Sequence, residues 1–316
     1  MADVVVVGAG LSGVTCAREL ATAGHRVVLR DTGRRPGGRM ALRRYGDRVV
    51  DIGASYFTVR DDAFAAVVDD WERRGLARPW TDTFTAWSGG QREPKPGPVR
   101  WAAPNGLRSL VEDLAGGLDV RSAHPVEHVT VGERPSIDGQ QADAVVLAMP
   151  DPQARRLVAP GTAAHCALDD PYEPALALTV GWDRRTWHEE DGVFVGDHPD
   201  LTWIADDGLR RGDRAPVLVA HSTAERARLH LADPSSAADA MTAALREVVD
   251  VPNEEPTLTH VQRWTFARPA QEREALFHLD DDGVGACGDS WGPTSSVEAA
   301  FLSGRALGAA LVERLG

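Results

Sequence analysis

Lysine is all but missing from this chain, Lys95 standing alone against 33 arginines. Arginine-biased coding accounts for the average, but the scarcity bears on mechanism below. Cysteine is scarce too. Cys16, Cys166 and Cys287 have no C-x-x-C spacing and no nearby histidine pair, which argues against a disulfide framework or a zinc site. The ten histidines are likewise scattered without metal-ligand spacing. Positive charge is in deficit: the formal net charge of −13 opposes nucleic acid or an anionic membrane as partner. No apolar run approaches the ~20 residues needed to span a bilayer. No secretory signal is expected ahead of the first strand, and Ala309 to Gly316 reads as a charged helix end rather than a membrane tail. A soluble, cytoplasmic protein is expected.

What is present begins at once. Val4-Val5-Val6-Val7 reads as a strand buried on both faces of a parallel sheet. It feeds Gly8-Ala9-Gly10-Leu11-Ser12-Gly13, a G-x-G-x-x-G turn, and a helix pattern continues to Gly24. Gly8 permits the tight turn, Gly10 lets backbone approach a pyrophosphate, and Gly13 lets helix pack closely on strand. The helix N-terminus offers that anion unpaired N–H groups and a positive dipole end. His25 to Asp31 reads as the second strand. Asp31 falls where an acid would bond a ribose hydroxyl, with Thr32 beside it.

Further along, Arg48 to Gly53 reads as a strand, and Asp61 to Gly75 as an amphipathic helix carrying Phe64, Val67, Val68 and Trp71. Gly89 to Pro98 is rich in Gly and Pro and is expected to be a loop. A helix is expected from Asn105 to Leu114. Asp143 to Pro150 is a second buried strand. From about 161 to 274 short strands surround one helix near Ser235 to Val249, the pattern of an antiparallel sheet with a helix. That stretch holds 11 arginines against 21 carboxylates, a formal charge of −10. The chain then returns to its first style. Gly283 to Asp289 reads as a short strand and turn. Ser295-Ser296-Val297-Glu298 has capping-box spacing, and the helix it opens runs to Leu315 with Gly304 and Gly308 on its closely packed side.

Four blocks resemble the flavoprotein amine-oxidase and renalase-like group. The glycine turn is similar to the opening of its FAD domain. Gly37-Gly38-Arg39-Met40 resembles its second motif, whose arginine contacts the flavin or its pyrophosphate. Asp51-Ile52-Gly53-Ala54-Ser55-Tyr56-Phe57 resembles a third, whose backbone lies against the isoalloxazine. Gly288-Asp289, with the helix starting at Ser296-Val297, resembles a fourth, with Asp289 bonding the ribityl or phosphate region. Trp101 to Leu107 and Val145 to Pro152, which includes Met149, resemble the renalase branch in particular.

The resemblance implies an α/β fold (α+β overall): a Rossmann-like FAD-binding domain with a central parallel sheet, and a discontinuous antiparallel-sheet and helix domain for substrate. The expected division is 1–60, 105–160 and 275–316 for FAD, with 61–104 and 161–274 for substrate. It implies non-covalent FAD, because Cys287 does not occupy the group's covalent-flavin position. It also implies hydride transfer from a dihydronicotinamide isomer to flavin N5, with molecular oxygen as acceptor. Such a substrate aromatises as hydride leaves and needs no side-chain base.

Tyr56, Trp264 and Trp291 are the leading substrate-facing candidates, with Phe57 and Thr294 beside them. Arg263 and Arg268 are candidates for offsetting local acidity. The monoamine-oxidase pattern is departed from in one respect above all: its flavin-side lysine has no counterpart, Lys95 being expected in a loop elsewhere. Two alternatives stay open, an FAD-dependent amine oxidase or desaturase and a non-catalytic flavin- or nucleotide-binding protein.

Overall fold

The computed structural model describes all 316 residues. It divides into two units, each assembled from separated stretches of chain: 1–40, 108–172 and 268–316 form the first, and 41–107 and 173–267 the second.

The first unit is built on a six-stranded sheet in the order His278–Leu279, Val284–Ala286, Ala144–Leu147, Asp3–Val7, Arg26–Asp31, Asp119–Ser122. All neighbours are parallel except the edge pair His278–Leu279 with Val284–Ala286. Val4 pairs with Val27 on one side and Ala144 on the other, so the valine run sits at the centre, as its unbroken apolarity requires. Helices Leu11–Thr22 and Val297–Leu315 pack tightly on each other. A Cβ on Gly304 would lie 2.1 Å from the Ser12 carbonyl oxygen, and one on Gly308 2.7 Å from the Glu19 Cβ. A second apolar layer joins Val7, Val145, Leu147 and Val284 to Val129, Ile137, Leu168 and Trp291.

The second unit is a seven-stranded sheet, ordered Leu258–Arg268, Glu173–Gly181, Val217–Ser222, Leu201–Asp206, Gly192–Gly196, Arg78–Ser88, Gln91–Ala102. Gly192–Gly196 runs parallel to Arg78–Ser88; the other pairings with a recorded register are antiparallel. Side chains alternate between faces. Leu218 and Ala220 join the core around helix Ala238–Val248, while Val217 and Val219 pack against Val50 of the hairpin Leu42–Tyr45/Arg48–Asp51.

Two expectations are corrected and one strand is added. Residues 41–60, expected with the cofactor domain, pack in the second unit. Gly89–Pro98 is not a loop: only Gly89 and Gly90 turn, both at positive φ, and Gln91–Ala102 is a strand. Pro94, Pro96 and Pro98 are tolerated because this is an edge strand and all three share one parity, leaving the ladder side free of missing donors. The strand Leu201–Asp206 went unforeseen. No helix is long and apolar enough to cross a membrane.

Candidate cofactor-binding site

The expected dinucleotide residues of the first unit converge because each follows the carboxyl end of a parallel strand. Gly8 follows Asp3–Val7, Thr32 follows Arg26–Asp31, Met149 follows Ala144–Leu147, and Gly288 follows Val284–Ala286. The chain winds from Asp3–Val7 towards Arg26–Asp31 and later returns on the other side at Ala144–Leu147. The crevice between those directions is the switch point where open α/β sheets take ligands.

At that crevice the backbone is bare. Gly8 has φ +108°, and a Cβ there would meet the Ala148 carbonyl oxygen at 2.3 Å. A Cβ on Gly13 would lie 2.1 Å from the Gly8 carbonyl oxygen. One on Gly10 would meet nothing nearer than the Gly38 Cα at 4.0 Å. Gly10 is also the N-cap of Leu11–Thr22 and supplies no side-chain cap, so the first amides of the helix, including Leu11 and Ser12, have no side chain bonded to them at that cap. The second motif lies directly on this turn: Gly37 N–H donates to the Ala9 carbonyl at 2.8 Å. Glycine at 8, 10, 13 and 38 and an uncapped helix start make a cradle for a pyrophosphate, and the residues fit a dinucleotide.

Side chains tie the cradle together. Asp31 accepts Ala9 N–H at 2.6 Å and Gly33 N–H at 2.5 Å, so each carboxylate oxygen already holds a backbone amide. Arg39 and Asp289, 250 positions apart, form a two-point pair: Nη1 donates to Oδ2 at 2.9 Å and Nη2 to Oδ1. Expected as separate cofactor contacts, they are each other's partner. Ser295 Oγ donates to Asp289 Oδ2 at 2.8 Å. The N-cap of the terminal helix is therefore Ser296, which accepts Ala299 N–H at 3.0 Å, one residue later than the capping-box spacing implies, with Val297 as first helical residue. Met40 is buried, while Thr32 is exposed.

Sequence reasoning missed Tyr172. It is buried at φ +51° and lies under the Arg39 guanidinium, 5.5 Å from ring centre to Cζ. Burial pushes its phenol well above the usual range, keeping it neutral. Trp291 is also corrected: it is 5% exposed, part of the apolar core, with Arg273 over its ring at 4.3 Å.

Most of the remaining expected residues belong to the second unit, Arg268 and Thr294 excepted. Gly53, Ala54 and Ser55 form an irregular segment after Arg48–Asp51. Trp264 Nε1 donates to the Ile52 carbonyl at 2.6 Å, an anchoring contact that was not foreseen. Tyr56 sits in an aromatic cluster, 5.2 Å from Phe84 and 5.6 Å from Trp203 between ring centroids. Lys95 lies on strand Gln91–Ala102 opposite Phe84, its ammonium 5.1 Å above the Phe194 ring, so its expected place in a loop is corrected. Arg263 donates to the Leu231 carbonyl, and Arg268 is exposed at the end of its strand.

Comparison with known proteins agrees with the fold. Residues 6–71 match the NAD(P)-binding Rossmann-like domain, and residues 75–310 match the flavin containing amine oxidoreductase family. The chain belongs to that family. Its members are oxidoreductases, and its cofactor is FAD. AofH of Mycobacterium tuberculosis, whose name describes a flavin-containing monoamine oxidase, is 31% identical over 150 residues, 42% of this chain and 32% of that protein. Phytoene dehydrogenase of Streptomyces griseus is 46% identical over 67 residues, 20% of this chain and 13% of that one. The matches thus span a third or less of these relatives' length. Among solved structures, putrescine oxidase (TM-score 0.75, 16% identity) and cyclohexylamine oxidase from Brevibacterium oxydans (TM-score 0.78, 14% identity) share the fold, with 99% of each chain covered.

Proposed function

We propose that this chain is a renalase-like oxidase of dihydronicotinamide nucleotides, with FAD held non-covalently. When bound, FAD would supply the acceptor for the substrate's hydride, the substrate leaving as an aromatic pyridinium, with molecular oxygen as the terminal oxidant reduced to hydrogen peroxide. The protein's part is to bind, orient and exclude water. The glycine cradle and the Leu11–Thr22 dipole would hold the pyrophosphate, Asp31 would reach the ribose with its remaining lone pairs, and the Arg39–Asp289 pair would brace the flavin end. Gly53 to Ser55 would lie along the isoalloxazine. Burial pushes the Cys287 thiol up to about 12, so it stays protonated, which fits a cofactor without a covalent tether.

The observation that carries the substrate reading is the aromatic cluster of the second unit. Tyr56 and Phe194 are partly buried rings at the edge of a core formed by Phe84 and Trp203, and burial keeps the Tyr56 phenol neutral. Two cations already sit on those rings, Lys95 on Phe194 and Arg100 on Phe84 at 4.5 Å. Such a cluster suits a flat ring carrying phosphate and disfavours a further cation. The formal charge of −10 over 161–274 favours a second reading, an amine oxidase drawing in a cationic substrate.

Anaerobic mixing with isomeric dihydronicotinamide nucleotides and, separately, with primary amines decides between them. The first reading predicts bleaching of the flavin band by the nucleotides alone. Bleaching by amines alone replaces it with the second.

A further inference from the structure

The second unit buries charges that the proposed chemistry does not use. Asp51, Asp207, Arg210 and Arg211 have side chains 1%, 0%, 1% and 5% exposed. Arg210 donates to Asp207 at 2.5 Å, Arg211 to Asp51 at 2.8 Å, and Arg48 also reaches Asp207. Burying ion pairs is a poor route to stability, since desolvation offsets the Coulomb gain and apolar residues of like volume serve as well. What arginine forks add is direction.

Their remaining donors are aimed at irregular backbone. Arg210 Nη1 donates to the Ser55 carbonyl at 3.0 Å, and Arg211 Nη1 to the Ala103 and Pro104 carbonyls, each at 3.2 Å. Asp51 Oδ1 accepts Leu107 N–H at 2.9 Å. None of these backbone groups lies in a helix or strand; the Ala103 carbonyl also accepts Gly106 N–H at 2.9 Å, and the others are bonded by these side chains. The segment Ile52–Ser55 is fixed at two further points, Trp264 on the Ile52 carbonyl and Trp203 Nε1 on Ser55 Oγ at 3.0 Å.

We propose that Arg210 and Arg211 are positioning residues that set the backbone of Ile52–Ser55 and Ala103–Leu107 for the flavin. This rests on the reading above that Gly53 to Ser55 lie along the isoalloxazine. Arg210→Met is the direct test, because Asp207 keeps Arg48 and Arg211 as partners. Should that variant fail to fold, Trp203→Phe removes the N–H bonded to Ser55 Oγ and keeps a six-membered aromatic ring, at the cost of the second ring of the indole.

Two readouts avoid activity altogether. In flavin-free protein, amides of 53–56 should exchange with solvent about tenfold faster than in wild type, the scale of one lost hydrogen bond. In the loaded protein the flavin absorption band should shift, with the melting temperature lowered only on the scale of one lost hydrogen bond. Flavin reduction should slow about a hundredfold, as expected for a small misplacement, with Arg210→Lys recovering most of it. Folded variants with wild-type exchange, flavin band and reduction rate overturn the proposal. A wild-type protein that no dihydronicotinamide reduces would sink the substrate reading alone, leaving the exchange and band measurements to judge this one.

Discussion

The two units hold irregular backbone in place by opposite means. In the first, side chains are removed: Gly8, Gly13 and Gly304 bring backbone within distances no Cβ would allow, and the helix start at Gly10 has no side-chain cap. In the second, side chains are added: two buried arginines and two buried aspartates pin carbonyls and an amide that no strand satisfies. Glycine contact gives a surface an anion can approach. A charge network gives a fixed loop conformation at a desolvation cost.

The comparison can be broken by mutation, and the largest effect is expected from orphaning the network. Asp207→Ala leaves Arg210 without its close carboxylate and should cost about 3–5 kcal/mol in denaturant unfolding. Asp207→Leu combined with Arg210→Met should cost clearly less than Asp207→Ala alone; a larger loss would show that the charges themselves hold the unit together. On the glycine side, Gly304→Ala forces a Cβ towards the Ser12 carbonyl and should cost about 1–3 kcal/mol by the same assay. Ser296→Ala removes the cap on Ala299 N–H and should cost about 1 kcal/mol.

Acid sharpens the contrast further. Burial opposes ionisation of Asp207, but Arg210, Arg211 and Arg48 outweigh it and hold its carboxyl below the usual range. That stabilisation is present above the ordinary carboxylate pKa of about 4 and is lost as pH falls through the lower native value. Stability of Asp207→Asn, measured as a melting temperature against pH, should therefore fall less steeply in acid than that of the wild type. The smallest effect is expected from Pro96→Ala on the edge strand, within about 0.5 kcal/mol.

The same contrast explains what the sequence disclosed. The glycine cradle was legible because its requirements are local: a strand, three glycines at fixed spacing and a helix are contiguous. The packing of Gly304 and Gly308 was legible for the same reason. The network was not, since Asp51 and Arg211 are 160 positions apart and nothing near either residue announces the other. Arg39 and Asp289 were both found, but as independent contacts, because pairing across 250 positions has no periodic signature. Gly89–Pro98 misled by composition. The two-glycine turn was a hairpin signal, and prolines at alternate positions are compatible with an edge strand alone. Trp291 misled by its polar sequence neighbours, because its ring lies in the core with Arg273 over it.

The claim on which the rest depends is that the bare backbone at Gly8 to Gly13 receives the cofactor. Titrating flavin-stripped protein with FAD, and following the flavin fluorescence, tests it most directly. Saturable binding of one equivalent, lost in Gly10→Val, where the added side chain would fill the open approach, is the predicted result. Wild-type protein that binds no FAD, or a Gly10→Val variant that binds it as tightly, would contradict the account.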